Sequence, residues 1–253
     1  MDLGLAGRRA LVTGGSRGIG RAIGRRLAAE GVAVTLTARD PAALAEAQAA
    51  IRASTGQEAA ILPMDLTEPG SPDRLAAACG EADILVNNAG ALPGGTLDDI
   101  GEARWRAAWE LKLFGYINLT RVFYPLMRAR KRGVILNVIG TGGERPSADF
   151  LCGSTANAAL IAFTRALGGA SHRDGIRVLA INPGPVATDR LVTLMQRSAA
   201  ASGADWRDGL QAMPFGRAGE AEEIAAAAAF LVSDLSAYTS GTVLTIDGGA
   251  VSA

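Results

Sequence analysis

The chain has 253 residues, which at about 150 residues per domain allows one large domain or two small ones, and 49% of them are apolar, which excludes a disordered chain. The 25 basic and 25 acidic side chains give no net charge, which argues against binding to nucleic acid, and no apolar run is long enough to cross a membrane. Two cysteines and one histidine are too few for a disulfide framework or a metal site, so we expect a cytoplasmic protein without a metal.

Short apolar, β-branched runs alternate with helical patterns along the chain. Most runs are apolar throughout, as in parallel strands that are covered on both faces. The predicted strands are Ala10–Thr13, Val32–Thr37, Ala59–Met64, Ile84–Asn87, Val134–Val138, Arg177–Ile181 and Val243–Ile246. The predicted helices are Ile19–Glu30, Pro41–Ala53 with Asp40 as its N-cap, Asp98–Arg130, Thr155–Ser171 and Ala221–Val232. This alternation predicts an α/β fold with a doubly wound parallel sheet of seven strands flanked by helices.

No internal repeat or linker divides the sequence, so we expect one domain over residues 1–253. The stretch Arg190–Phe215 has mixed character, and we interpret it as a substrate lid because long insertions in compact domains are usually functional. Its apolar side chains favour a hydrophobic substrate; they are Leu191, Leu194, Met195, Trp206, Leu210, Met213 and Phe215.

A glycine-rich segment runs directly from the first predicted strand into the first predicted helix. Gly14, Gly18 and Gly20 permit a tight turn and a close approach of a ligand, and the helix N-terminus offers N–H groups to a phosphate. This context predicts a dinucleotide site, with a simple strand-to-helix turn as the alternative.

The end of the second predicted strand bears on the choice of cofactor. An acidic residue at this place binds a ribose 2′-hydroxyl, whereas an arginine accepts a 2′-phosphate. Here Arg39 occupies the place, and Arg17 in the glycine-rich segment supplies a second guanidinium. The two arginines favour NADPH over NADH, unless both are solvated surface residues.

Several motifs follow one another in a fixed order along the chain. Residues 13–20 read TGGSRGIG, 87–90 read NNAG, 182–188 read NPGPVAT, 214–217 read PFGR and 246–249 read IDGG. Together they resemble the motifs of the short-chain dehydrogenase/reductase family over nearly the full length of the chain. The resemblance implies a Rossmann fold and an enzyme that transfers a hydride between NADP and a small carbonyl or alcohol substrate.

The resemblance also implies the residues that bind the cofactor. In the glycine-rich segment they are Gly14, Ser16, Arg17, Gly18, Ile19 and Gly20. Near the adenine they are Asp65 and Leu66, and further on Asn88, Ala89 and Gly90; near the nicotinamide they are Pro183, Gly184, Val186 and Thr188. The family is usually a homodimer or homotetramer built through its two longest helices, which here are Asp98–Arg130 and Thr155–Ser171.

The chain departs from the family at the catalytic residues. Matching the sequence from residue 133 onward puts Gly140 in the position of the family's serine, Gly153 in that of its tyrosine and Asn157 in that of its lysine. Phe150 lies close to the tyrosine position but has no hydroxyl. We expect the two glycines to leave room for a bulkier substrate or for water. Lys112 stands where the family has a catalytic asparagine, so lysine and asparagine have exchanged positions.

Lys112 is therefore the predicted proton donor, acting with Asn157. Burial penalises a charged ammonium, so a lysine in an apolar helix can exchange a proton near neutral pH. Alternatively, Lys112 extends to solvent or pairs with a carboxylate near Glu110. Tyr116, one turn later, offers a phenol or packs in the core or at a subunit interface.

Other reactive groups near these positions have plainer interpretations. Thr141, Ser154 and Thr155 are expected in turns and caps, and Cys152 as a buried packing residue. Glu144 and Asp149 are expected to be solvated. Two functions remain: an NADPH-dependent oxidoreductase with a non-standard proton donor, or a catalytically silent NADP-binding protein that serves as a redox sensor or an inactive partner subunit.

Overall fold

A computed structural model of the protein describes residues 2–189, 191–193, 195–196 and 205–252. Within these residues, seven strands form one sheet in which all neighbouring strands are parallel. The strands are β1 Arg9–Thr13, β2 Ala33–Ala38, β3 Ala60–Pro63, β4 Ile84–Asn87, β5 Gly133–Val138, β6 Ile176–Pro183 and β7 Val243–Ile246.

Helices connect the strands and cover both faces of the sheet. The α-helices whose bounds lie in the described part of the chain are α1 Gly18–Ala29, α2 Pro41–Thr55, α3 Ser71–Cys79, α4 Glu102–Trp109, α5 Gly115–Ala129, α6 Leu151–Ser171, α7 Asp208–Gln211 and α8 Ala221–Val232. The described residues 189, 191–193 and 195–196 are also helical. A π-helical turn, Glu110–Phe114, joins α4 to α5. Short 3-10 turns lie at Thr141–Gly143, His172–Asp174, Pro214–Gly216 and Asp234–Ser236. None of these helices is long and apolar enough to cross a membrane.

The strand order is β3-β2-β1-β4-β5-β6-β7, which confirms the predicted doubly wound α/β fold. The chain moves outward from β1 to β3, returns to the middle at β4, and then moves outward in the other direction. Because all strands are parallel, their carboxyl ends lie along one edge of the sheet. The reversal of winding opens a crevice at that edge between β1 and β4, the place where such sheets bind ligands.

The apolar core lies on both faces of the sheet. On one face, side chains of α1, α2 and α8 such as Ile23, Ile51 and Ile224 pack against the strands. On the other face, α3 and α5 contribute residues such as Leu75 and Phe123, and α4 and α6 complete the layer. Burial on both sides explains why the strands are apolar throughout rather than alternating.

On one side of the sheet, the helices of the structure differ in two places from the predicted ones. The sequence did not predict α3, because this nine-residue helix buries only Ser71 and Leu75 and so has a weak apolar pattern. The single helix predicted at Asp98–Arg130 is wrong: it is divided into α4, the π-helical turn and α5. It also starts later, because Asp99 accepts hydrogen bonds from the backbone and hydroxyl of Thr96 and holds this segment in a turn.

The helix predicted at Thr155–Ser171 begins four residues earlier, at Leu151, because the Ser154 N–H donates to the Phe150 carbonyl and adds a turn. Part of the predicted lid cannot be compared in this way. Residues 190, 194 and 197–204 lie outside the described part of the chain, so the lid stays a prediction. The same holds for the single domain, which no observation tests.

The N-cap of α2 provides a test of local stability. The Asp40 carboxylate accepts hydrogen bonds from the N–H groups of Ala42 and Ala43 at 2.9 and 3.2 Å, as the sequence predicts. We expect Asp40→Ala to lower the free energy of unfolding by about 1 kcal/mol, measured by urea denaturation. Glu46→Ala, an exposed change on the same helix, should stay within about 0.5 kcal/mol. Equal effects of the two changes would contradict a capping role.

Candidate active site

A group of hydrogen bonds connects the end of β1 to the end of β4, where the winding of the sheet reverses. The Thr13 hydroxyl donates to the Val86 carbonyl at 3.2 Å and accepts from the N–H groups of Asn88 and Ala89 at 2.9 and 3.0 Å. The Asn88 side-chain amide donates to the carbonyls of Thr13 and Gly14 at 3.0 and 3.2 Å. These bonds fix the turn after β1 against the turn after β4 and so define the floor of the crevice.

The glycine-rich turn is shaped to receive a phosphate group. Gly14 and Gly18 have φ values of +64° and +53°, which favour glycine, and a Cβ at Gly20 would overlap with the Gly14 carbonyl oxygen. Arg17 is the N-cap residue of α1 and gives no side-chain hydrogen bond to its first turn. The first N–H groups of this 12-residue helix are thus available to an anion. The turn fits a dinucleotide cofactor.

Residues predicted near the adenosine end lie beside this turn. Arg39 follows β2, and its side chain is 70% exposed with Nη1 4.0 Å from a carboxylate oxygen of Asp65. Hydrogen bonds from the backbone and hydroxyl of Thr67, and then the charge of Arg39, hold the pKa of Asp65 below its ordinary value. The Arg17 side chain is also exposed, whereas Ser16 is buried. Two guanidinium groups therefore stand in solvent near the start of α1 and the end of β2.

The segment after β6 approaches the glycine-rich turn from the other side. A Cβ built on Gly18 would lie 3.2 Å from Cγ2 of Thr188, so the two segments are in contact. Gly184 passes so close to Asp247 that a Cβ there would lie 2.8 Å from the Asp247 Cβ. Val186 forms an isolated bridge with Gly219, which holds the segment in place. The predicted cofactor residues thus form one surface along the carboxyl edge of the sheet.

Lys112 lies in the π-helical turn, with its side chain directed towards the end of β5. Its Nζ donates to the carbonyls of Val138 and Ile139, at 2.9 Å each, and the residue is only 7% exposed. A Cβ on Gly90 would overlap with the Lys112 side chain, so this glycine provides the space for its methylene groups. The lysine does not extend to solvent, and Glu110 is exposed. Helical turns of the π type occur frequently at functional sites.

Tyr116 is a core residue, which is the plainer of its two predicted interpretations. It is fully buried, and its hydroxyl donates to the Val138 carbonyl at 2.8 Å, the same oxygen that accepts from Lys112. Burial raises the pKa of this phenol well above its ordinary value. The ring lies under the amine, with Nζ of Lys112 5.1 Å from its centroid. Tyr116 therefore supports the lysine rather than facing a ligand.

Gly140 and Asn157 lie side by side after β5. Gly140 has φ +137°, a backbone conformation that residues other than glycine rarely adopt. Its N–H donates to Oδ1 of Asn182 at 3.3 Å. A Cβ on Gly140 would lie 3.2 Å from Nδ2 of Asn157. Asn157 is 3% exposed, and its Oδ1 is buried without a hydrogen-bond partner, as is Nδ2 of Asn182. Unpaired buried groups are uncommon in folded proteins, and these two lie beside Gly140 at the carboxyl edge of the sheet.

The space expected beside Gly153 is occupied. A Cβ on Gly153 would overlap with three atoms of the Phe150 ring, and a Cβ on Gly142 would lie 3.0 Å from Cδ1 and Cε1 of the same ring. The prediction that the glycines leave room for a bulkier substrate or for water is therefore wrong at Gly153. Sequence reasoning treated Phe150 only as a residue without a hydroxyl. The signal that it missed is an aromatic residue between Gly142 and Gly153 along the chain. Neither glycine has a positive φ, so the backbone conformation does not explain why these positions lack a side chain.

The remaining polar groups near Gly140 have structural roles in the described part of the chain. The Thr155 hydroxyl donates to the Leu151 carbonyl within α6, and Ser154 accepts from the Ser147 N–H. Cys152 is buried, and this burial raises the pKa of its thiol. Glu144 is half-buried and accepts a hydrogen bond from the Thr245 hydroxyl, so the expectation of a solvated carboxylate is wrong for it. Asp149 is exposed, as expected.

Comparison with known proteins agrees with the fold and the crevice. Residues 14–251 match the family model described as enoyl-(acyl carrier protein) reductase. The chain is 36% identical over 251 residues to the 3-oxoacyl-(acyl-carrier-protein) reductase FabG of Escherichia coli, covering 96% of this chain and 97% of that protein. It is also 36% identical over 249 residues to an uncharacterized oxidoreductase of Mycobacterium bovis, covering 97% of each.

Solved structures give the same result. L-sorbose reductase from Gluconobacter frateurii, complexed with NADPH and L-sorbose, superimposes with a TM-score of 0.92 at 32% identity, covering 100% of both chains. An actinorhodin polyketide ketoreductase with NADPH gives a TM-score of 0.92 at 29% identity, covering 97% of this chain and 98% of that one. The fold and crevice define a dinucleotide-binding α/β enzyme. The chain belongs to the short-chain dehydrogenase/reductase family of NAD(P)-dependent oxidoreductases, which act on carbonyl and alcohol substrates.

The backbone at Gly140 can be tested directly. Because its φ of +137° suits only glycine, we expect Gly140→Ala to lower the free energy of unfolding by about 1–3 kcal/mol. Gly101→Ala is the matched control, since Gly101 has φ −66° and open space around its Cβ position. Thermal unfolding of both variants measures the difference. A Gly140→Ala protein as stable as the control would show that this conformation is not required.

Proposed function

We propose that the protein is an NADPH-dependent reductase in which Lys112 and Asn157 take over the handling of the proton. When bound, the nicotinamide supplies the hydride, and the protein provides binding, orientation and charge. The glycine-rich turn and the first N–H groups of α1 would hold the pyrophosphate. The segment Pro183, Gly184, Val186 and Thr188 would hold the nicotinamide end, and Asn88, Ala89 and Gly90 would line the crevice between them.

The preference for NADPH rests on two exposed arginines. Arg39 and Arg17 carry guanidinium groups that can pair with a 2′-phosphate dianion through charge-assisted hydrogen bonds. Asp65 stands 4.0 Å from Arg39, but its carboxylate already accepts two hydrogen bonds from Thr67 and is oriented by them. Asp40 is engaged as the cap of α2. Arg39 is therefore the residue at the end of β2 that we expect to meet the ribose, which supports a 2′-phosphate over a free 2′-hydroxyl.

The position of Lys112 is the observation that carries the catalytic proposal. Its buried amine stands at the carboxyl edge of the sheet, held by the carbonyls of Val138 and Ile139 and adjoining Gly90. There it stabilises negative charge that develops on the substrate oxygen and donates the proton that the oxygen needs. The carboxamide of Asn157, with its unpaired buried Oδ1, orients the substrate or a water molecule beside it.

A catalytically silent NADP-binding protein is the second candidate function. The observation that favours it is the Phe150 ring, which fills the space beside Gly153 and brings no hydroxyl to the site. In that case the protein would act as a redox sensor or as an inactive partner subunit. The crevice and its glycine-rich turn are the same in both candidates, so only turnover separates them.

Further features of the proposal concern the protein as a whole. We infer a single domain over residues 1–253, a cytoplasmic location, a small hydrophobic carbonyl or alcohol substrate, and a homodimer or homotetramer. The exposed aromatic ring of Phe114 and the side chain of Leu126 support association through the helical segment that contains α4 and α5.

The choice of cofactor is tested by Arg39→Ala. We expect this change to weaken NADPH binding by about tenfold or more and to leave NADH binding almost unchanged, because only NADPH loses a charge-assisted pair. Fluorescence titration with each nucleotide measures the two affinities. Arg52→Ala removes an exposed arginine from α2 and serves as the control. A variant that loses both nucleotides equally would contradict the 2′-phosphate assignment.

The role of Lys112 is tested by Lys112→Met on a panel of ketones and aldehydes. Loss of a proton donor should lower kcat by about 10²–10⁴-fold with little change in KM, because the substrate is still bound. Lys131→Met is the control, since it makes the same change at the other lysine of the sequence, which is exposed and lies 4.0 Å from a carboxylate oxygen of Asp174. This control should keep its kcat.

The same experiment decides between the two candidate functions. Equal kcat values for wild type and Lys112→Met would remove this lysine from the mechanism while leaving a reductase. NADPH binding without turnover of any carbonyl in the panel would favour the silent protein instead. Thermal unfolding of both variants shows whether lost activity reflects lost structure.

A further inference from the structure

The Phe150 ring lies between two glycines at the proposed site, and both glycines are explained by the ring. A Cβ on Gly153 would overlap with ring atoms Cζ, Cε1 and Cε2, and a Cβ on Gly142 would lie 3.0 Å from Cδ1 and Cε1. Neither glycine has a positive φ, so backbone conformation does not require glycine at either position. The two missing side chains leave a slot that the aromatic ring occupies.

The backbone around Phe150 fixes the ring in this slot. The Phe150 N–H donates to the Ser147 carbonyl at 3.1 Å, and its carbonyl accepts from the Ser154 N–H at 2.8 Å at the start of α6. The preceding Asp149 carbonyl accepts from the Gly95 N–H at 2.7 Å, which joins this segment to the loop after β4. The segment is thus held from both sides.

Phe150 has apolar contacts but is not fully buried. Phe150 packs against the apolar cluster that includes Ile139, Cys152 and Ile161, yet the residue is only half-buried. The same slot adjoins Asn157, whose Nδ2 lies 3.5 Å from the Cβ position of Gly142. The ring therefore lies close to Asn157, one of the two residues proposed to act on the substrate oxygen.

We propose that Phe150 determines substrate specificity by selecting carbonyl compounds in which the carbonyl carbon is attached to an aromatic ring. This inference rests on the function proposed above. Without a hydroxyl, Phe150 cannot bind the carbonyl oxygen, so its contribution is contact with the group next to the carbonyl. Two aromatic rings gain a favourable offset or edge-to-face interaction beyond the burial of apolar area, whereas a saturated ring of similar size gains only the burial.

The experiment compares acetophenone with cyclohexyl methyl ketone, which have similar size and differ in aromaticity. Their affinities for the full-length protein are measured by saturation-transfer NMR, with and without NADP⁺, so that no turnover is needed. We expect wild type to bind acetophenone about three- to tenfold more tightly, as expected for one aromatic pair. Phe150→Leu, which keeps an apolar side chain, should bring the ratio of the two affinities close to one.

A second variant moves the ring instead of removing it. Gly153→Ala places a methyl group where the ring lies, and the far end of the Phe150 side chain must shift to accommodate it. We expect this change also to remove the preference for acetophenone. Gly169→Ala is the matched control, because Gly169 lies in the same helix, α6, with open space at its Cβ position, and it should keep the wild-type ratio.

The outcomes separate this inference from the proposed function. Wild type that binds both ketones equally, or binds neither, overturns the role of Phe150, and so does a Phe150→Leu protein that keeps the preference. A preference lost in both variants supports the role even if no ketone is reduced, in which case the reductase proposal fails and the aromatic site stands. If Phe150→Leu does not fold, the ratio in Gly153→Ala decides.

Discussion

The hydrogen bonds of Thr13 and Asn88 join the two halves of the sheet at the place where the site forms. β1 belongs to the half that winds towards β3, and β4 belongs to the half that winds towards β7. The Thr13 hydroxyl and the Asn88 amide provide hydrogen-bond partners for backbone groups at both strand ends. The glycine-rich turn, the NNAG segment and the neighbouring space for Lys112 all depend on this connection.

Backbone carbonyls and side-chain amides position the proposed catalytic groups at the ends of β5 and β6. The Lys112 amine donates to the carbonyls of Val138 and Ile139 at the end of β5. The N–H of the following residue, Gly140, donates to Oδ1 of Asn182. A lysine provides three donors and no acceptor, so carbonyl oxygens are suitable partners for it. The two carbonyls hold the amine at the carboxyl edge of the sheet.

The fold could be predicted from the sequence because its signals are local and repeated. Strands such as Ile84–Asn87 and Val243–Ile246 have the predicted bounds, and so does the helix Ala221–Val232. Asp40 followed by Pro41 marks the start of α2 correctly. The starts of α4 and α6 could not be predicted in this way, because hydrogen bonds of Asp99 and Phe150 with nearby residues set them. The π-helical turn that separates α4 from α5 also has no signal in the sequence pattern.

By itself, the sequence determined the order of strands and helices, the glycine-rich turn and the family. These features depend on apolar patterns and motifs whose residues are close together in the sequence. Only the tertiary structure decided what surrounds Lys112, Gly153 and Asn157. The amine bonds to carbonyls 26 and 27 residues away in sequence, and the ring of Phe150 fills a slot that two glycines make together. Such contacts follow from how α6 and the π-helical turn pack on the sheet, and packing is a property of the folded chain.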